Sequence, residues 1–96
     1  MATLVPHQVL REVTFTLDRR HADNVRSVVL VGSFNRWDSS VHRLRRDPDG
    51  AWSISVALAQ GRYRYVFVVD GIPRNDPTED DRELADGESY SVRIVR

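Results

Sequence analysis

The chain of 96 residues contains no cysteine and no lysine. Without cysteine it can form no disulfide, offers no thiolate nucleophile and cannot build a thiolate zinc site, and cysteine usage leaves the redox compartment open. Without lysine, all 14 basic residues are arginine, which excludes Schiff-base chemistry and lysine-dependent phosphate loops. Fourteen acidic residues balance them to a formal net charge of +0. The basic excess that draws a protein to nucleic acid or to anionic membranes is therefore missing, and neither is an expected partner. Long apolar runs are missing too. The longest are Val28–Val31 and Val66–Val69, far short of the roughly 18–20 residues of a membrane span. Met1–Leu10 has neither the charged start nor the apolar stretch of a secretory signal. A cytoplasmic protein is the expectation, although a fragment of a secreted one would read the same way.

What is present is a globular composition, with 41% hydrophobic and 29% charged residues, and a length that suits one domain spanning 1–96 with a core from about residue 10. A domain this small leaves little room for an enclosed active site, which favours a surface site. Strand patterns dominate. Val13–Leu17 alternates apolar and polar residues, Val25–Val31 carries a β-branched run, and Val41–Arg46 reads as a short edge strand. Asp47-Pro48-Asp49-Gly50 is a turn, and Ala51–Leu58 then sets Trp52, Ile54, Val56 and Leu58 on one face. After Gln60-Gly61, Arg62–Val69 sets Tyr63, Tyr65, Phe67 and Val69 on one face and ends at the turn Asp70-Gly71. Ile72–Asp86 is poor in apolar residues and reads as a long surface loop. Gly87–Val95 closes the chain with Tyr90, Val92 and Ile94 alternating, which favours a core face, although Tyr90 could instead provide an aromatic surface. No helical period is sustained. Six or seven short strands indicate an all-β, immunoglobulin-like sandwich.

Most catalytic signatures are absent. His7, His21 and His42 lack metal-ligand spacing and read as exposed side chains, and no nucleophile elbow, zinc-protease or phosphate-loop motif occurs. Asp76, Glu79, Asp80, Asp81 and Glu83 form the densest acidic cluster. A glycosidase acid–base pair needs a cleft that raises one carboxyl pKa, so a solvated charged loop is the expected reading, with a weak calcium site as the lesser alternative. No cofactor and no metal are expected.

One stretch carries a more specific signal. Residues 29–37, Val-Leu-Val-Gly-Ser-Phe-Asn-Arg-Trp, together with Asp49-Gly50-Ala51-Trp52, Leu58-Ala59-Gln60-Gly61-Arg62-Tyr63-Arg64-Tyr65, Phe67-Val68-Val69-Asp70-Gly71 and Asn75-Asp76-Pro77, fall in one register. This pattern resembles carbohydrate-binding module family 48. That family includes the glycogen-binding domain of the AMP-activated kinase β subunit and the early-set domains of isoamylase and branching enzymes. The segment Leu58–Tyr65 looks like the family's hairpin.

The resemblance implies a non-catalytic module that binds an α-glucan (glycogen, starch or maltooligosaccharide), of the type attached to glycoside hydrolase family 13 enzymes. The chain is too short to hold their catalytic barrel. Trp37 offers a flat apolar face to a pyranose ring or else caps the open end of the sandwich, and Arg64 and Arg74 offer donors to hydroxyls or else stand as solvated surface charges. Asn35 is counted with them, although it can instead bond its own neighbouring backbone. Trp52 is expected in the core. The resemblance also sets Pro73 where the kinase-type binder has a second tryptophan, and Val66 where it has a lysine. The alternative is therefore a degenerate early-set domain, acting as an interaction or scaffold module without sugar affinity. A glucan-metabolising enzyme or a kinase-like assembly is the implied protein partner.

Overall fold

A computed structural model describes residues 9–96. His7 and the first eight positions of the Met1–Leu10 stretch lie outside the described residues. Nine strands follow in chain order: β1 Leu10–Leu17, β2 Val28–Gly32, β3 His42–Arg43, β4 Arg45–Arg46, β5 Trp52–Ala59, β6 Gly61–Val69, β7 Ile72–Arg74, β8 Arg82–Ala85 and β9 Glu88–Val95. They form two sheets. The smaller has the order β1-β5-β4, and the larger has the order β3-β2-β6-β9-β8 with β7 also paired to β6. The expected all-β sandwich is thus the fold.

The period-two pattern explains the packing. β1 and β5 pair antiparallel from Leu10↔Ala59 to Leu17↔Trp52, so Phe15 and Leu17 turn inward beside Ile54, Trp52 and Val56. From the larger sheet Val28, Leu30, Tyr65, Phe67 and Val69 meet them. The contact is largely aromatic: the Phe15 and Tyr65 rings lie edge to face at 4.9 Å, and Phe34 stands 5.7 Å from Phe15. Such pairs add about 0.5–1.5 kcal/mol beyond the area they bury. Trp52 is in the core as expected, at 8% exposure.

The hairpin turn Asp70-Gly71 forms as read, with φ of 48° and 83°. Glycine suits the left-handed second position, and Asp70 also accepts from the backbone of Arg26 and Ser27 through Oδ1. Other connections differ from the sequence reading. Leu58–Tyr65 is not a hairpin, because β5 and β6 lie in different sheets and Gln60 alone carries the chain between them. The Tyr63 hydroxyl donates to the Ala59 carbonyl at 2.7 Å and pins that corner. Val41–Arg46 is not one edge strand either. Leu44 is buried between the sheets, and the residues on either side join different ones.

The largest correction concerns Ile72–Asp86. This stretch contains β7 and β8, and its acidic cluster is not uniformly solvated. Asp76 is only 1% exposed. The Tyr65 hydroxyl donates to Asp76 Oδ2 at 2.6 Å, while Oδ1 accepts from the Thr78 amide and hydroxyl at 3.0 and 2.8 Å. The Asp76 amide donates to Ser91 Oγ, and Ser91 donates on to Asn75. A buried carboxylate with this many donors is satisfied without a cation. Polarity hid the strands because hydrogen bonding, not apolar side chains, fastens them.

Tyr65 titrates far above the ordinary tyrosine range, first because it is buried and then because its proton bonds to Asp76. A proton held more tightly in the folded state gives stability that is complete below about pH 10 and falls as pH rises further. Tyr65→Phe is expected to lower unfolding free energy by about 1–3 kcal/mol at pH 7 and to remove this group's share of the alkaline loss. Denaturant titrations at pH 7 and 11 measure both, and an unchanged midpoint at pH 7 refutes the role. Gly32 has extended φ, but a Cβ there would lie 2.6 Å from Phe34 Cε2 and 2.7 Å from the Arg64 carbonyl oxygen. Gly32→Ala is therefore expected to cost about 1–3 kcal/mol, seen as a lowered Tm.

Candidate functional site

β2 ends in a single 3-10 turn, Ser33–Asn35, after which Arg36 and Trp37 both adopt positive φ, 56° and 59°. A left-handed backbone costs an L-residue roughly 1–2 kcal/mol, so the surrounding contacts must impose it. They do. The Trp37 amide donates to the Gly32 carbonyl at 3.0 Å, and the Asp38 amide to the Asn35 carbonyl at 3.1 Å.

Asn35 is the inner lock of this loop. Its Oδ1 accepts from the Gly32 amide, and its Nδ2 donates to the Leu30 carbonyl and to His42 Nδ1, each near 3 Å. His42 is thus half-buried and bonded, rather than the exposed side chain its sequence context suggests. Beyond Trp37, the Ser40 hydroxyl and amide both donate to Asp38 and hold its carboxyl below the usual carboxylate range.

The left-handed turn sets the Trp37 indole over the outer face of the larger sheet, where it is 37% exposed. Its ring lies 5.1 Å from that of Tyr90 on β9, tilted by 57°. The Arg64 guanidinium lies 5.4 Å from the Tyr90 ring and 6.0 Å from the indole. Beside this pair runs an open groove of about 470 Å³, with Trp37, Val66, Pro73, Arg74, Asn75 and Tyr90 among its lining residues. Aromatic faces, a largely apolar floor and a few convergent donors are features of a ligand-binding surface.

The structure thus brings Trp37, Arg64 and Arg74 together. It does not bring Asn35 with them: Asn35 is 8% exposed, and both its donors and its carbonyl oxygen are engaged inside the loop. Val66 and Pro73, expected at ligand positions, do line the groove.

Tyr90 provides an aromatic surface on the outer face, although the alternation of β9 favours it as core. Tyr65 pairs with Ser91 and Tyr63 with Arg93, so Ser91, Arg93 and Val95 face the core, while Tyr90, Val92 and Ile94 face outward. The apolar alternation in β9 marks the wrong face because Ser91 belongs to the Asp76 network and Arg93 packs its guanidinium 4.6 Å from the Phe15 ring. The paired hydroxyl residues Ser89 and Ser91 were the available signal.

A larger hollow of about 690 Å³ lies beside β3, β4 and β5, but it has no aromatic wall, and its Asp47 already accepts from Ser53. Among the described residues, no three His, Cys, Asp or Glu side chains come together as metal ligands. No helix among them is long and apolar enough to cross a membrane.

Known proteins resemble part of this chain. It is 46% identical over 50 residues to Protein FLOURY ENDOSPERM 6, chloroplastic, of Oryza sativa subsp. japonica, covering 52% of this chain and 9% of that protein. It is 38% identical over 50 residues to Protein PTST homolog 2, chloroplastic, of Arabidopsis thaliana, covering 52% and 9%. It is 40% identical over 48 residues to 1,4-alpha-glucan branching enzyme GlgB of Nitrobacter hamburgensis, covering 50% and 7%. The aligned stretch is thus less than a tenth of each relative's length. A family model described as the glycogen recognition site of AMP-activated protein kinase matches residues 16–95, nearly the whole sandwich. The chain belongs to that family.

Proposed function

We propose that this chain is a non-catalytic module that binds a neutral α-glucan, such as glycogen, starch or a maltooligosaccharide, along the groove beside Trp37. The observation that carries the reading is the exposed Trp37 indole set against Tyr90 over a groove with an apolar floor. The C–H face of a pyranose ring packs on such aromatic faces, while hydroxyls need donors and acceptors at the rim. Arg64 and Arg74 supply donors, and Glu88 in the groove lining supplies an acceptor. Tyr90 takes the part of a second aromatic wall, which Pro73 cannot. Asn35 acts indirectly, by fixing the turn that presents the indole.

The groove is shallow, so each site binds weakly, and useful retention on a polymer comes from repeated short encounters or from a neighbouring module. One relative is named a branching enzyme, which makes a glucan-metabolising enzyme a reasonable companion for this module.

Electrophoresis through gels containing glycogen tests the reading. The wild-type chain is expected to be retarded relative to a gel without glycogen. Trp37→Ala should lose at least about tenfold in affinity, roughly the worth of one stacked aromatic face, and Tyr90→Ala about three- to tenfold. Both residues are partly exposed, so Tm should change little. Absence of retardation in the wild type, or equal retardation of wild type and Trp37→Ala, overturns the proposal. A copurifying protein without glucan retention would then favour a scaffold role.

A further inference from the structure

Glu83 was expected to be one of several solvated carboxylates. The structure places it on β8, directly opposite Tyr90 of β9 and on the same outer face. From there it reaches across β9 to two arginines of β6. Its Oε1 lies 2.7 Å from Arg62 Nη1, and its Oε2 lies 3.4 Å from Arg64 Nε. Beneath this bridge Val92, paired with Arg64, is only 2% exposed. The carboxylate thus holds the same guanidinium that leans on the Tyr90 and Trp37 rings.

Two consequences follow. An unrestrained arginine has several rotamers, most of which would leave the aromatic pair, and ordering it on binding weakens affinity. The ion pair restrains it beforehand. The second consequence is charge. Without Glu83, Arg62 and Arg64 lose their carboxylate partner, and with Arg74 they outnumber Glu88, the acidic residue of the groove lining, a set suited to a phosphorylated or otherwise anionic polymer.

We propose that Glu83 is a positioning and specificity-determining residue. It fixes Arg64 against the Trp37–Tyr90 pair and keeps the site electrically suited to an uncharged glucan. This rests on the glucan-binding reading above.

The experiment has one arm that needs no sugar. In the ligand-free wild type, the Arg64 Nε–H NMR signal should be displaced by the two aromatic rings. In Glu83→Gln it should move toward the position of a free arginine. In the binding arm, Glu83→Gln should weaken maltoheptaose binding about three- to tenfold and strengthen binding of dextran sulfate. Once Arg64→Ala is present, Glu83→Gln should weaken maltoheptaose binding no further. An unmoved Arg64 signal, additive losses in the double variant, or unchanged dextran sulfate binding each overturn the proposal. If the wild type binds no maltoheptaose while the Arg64 signal still shifts in Glu83→Gln, the glucan reading fails and the Glu83–Arg64 restraint stands, but its assignment to sugar specificity falls.

Discussion

A single buried hydrogen bond, donated by the Tyr65 hydroxyl to the Asp76 carboxylate, ties the periphery of this domain to its centre. Tyr65 is fully buried and stacks edge to face on both Phe15 and Phe67, so it belongs to the contact between the two sheets. Asp76 belongs to the polar stretch between β7 and β8. Their bond, with the Ser91 and Asn75 links beside it, draws a segment with few apolar side chains onto the end of the larger sheet. Arg74 and Asn75 gain their places in the groove wall this way. The Asp76 carbonyl also accepts from Arg82 Nη2, next to Glu83. Hydrogen bonds to a buried carboxylate are among the stronger non-covalent contacts, and removing one partner leaves the other without solvent.

The opposite wall is built by a different device. Gly32 gives room for Phe34 and the β6 backbone, Asn35 closes the turn from inside, and Arg36 and Trp37 accept an unfavourable backbone region as a result. The strain is local, and the hydrogen bonds around it are numerous. An indole held this way has little freedom left to lose when a ligand arrives. Glu83 does for Arg64 what Asn35 does for Trp37, with charge in place of backbone hydrogen bonds.

Much of this was legible in the residues. Alternation located β1, β5 and β6 and their inward faces, because Thr14, Thr16, Ser53, Ser55, Arg62 and Arg64 stand between apolar inward residues. The motif around Gly32, Asn35 and Trp37 pointed to the turn beside the candidate groove. The failures share a cause. Asp76, Ser91 and Arg93 are polar side chains that face inward, and pattern reading assigns polar residues outward. That reversed the faces of β9 and turned β7 and β8 into a loop. Asn35 reads equally as a sugar contact and as a residue that bonds its neighbouring backbone, because a buried amide and an exposed one look alike until their partners are seen, and it takes the second role. The crossings at Leu44 and Gln60 were illegible because alternation reports which face is buried, not which sheet a strand joins.

The groove draws on β2's following turn, on β6, on the β7 end and on β9, segments far apart along the chain. No single strand holds even half of it. Closing loops of that span before the pairing contacts can repay them makes such a surface a late product of folding. Ligand occupancy is therefore linked to the integrity of the whole sandwich. A saccharide at about ten times its dissociation constant would add roughly 1.4 kcal/mol to the folded state. For a domain with so small a core, a polymer bound as proposed would also act as a thermodynamic chaperone, and a chain resting on it would be harder to unfold than the same chain in free solution.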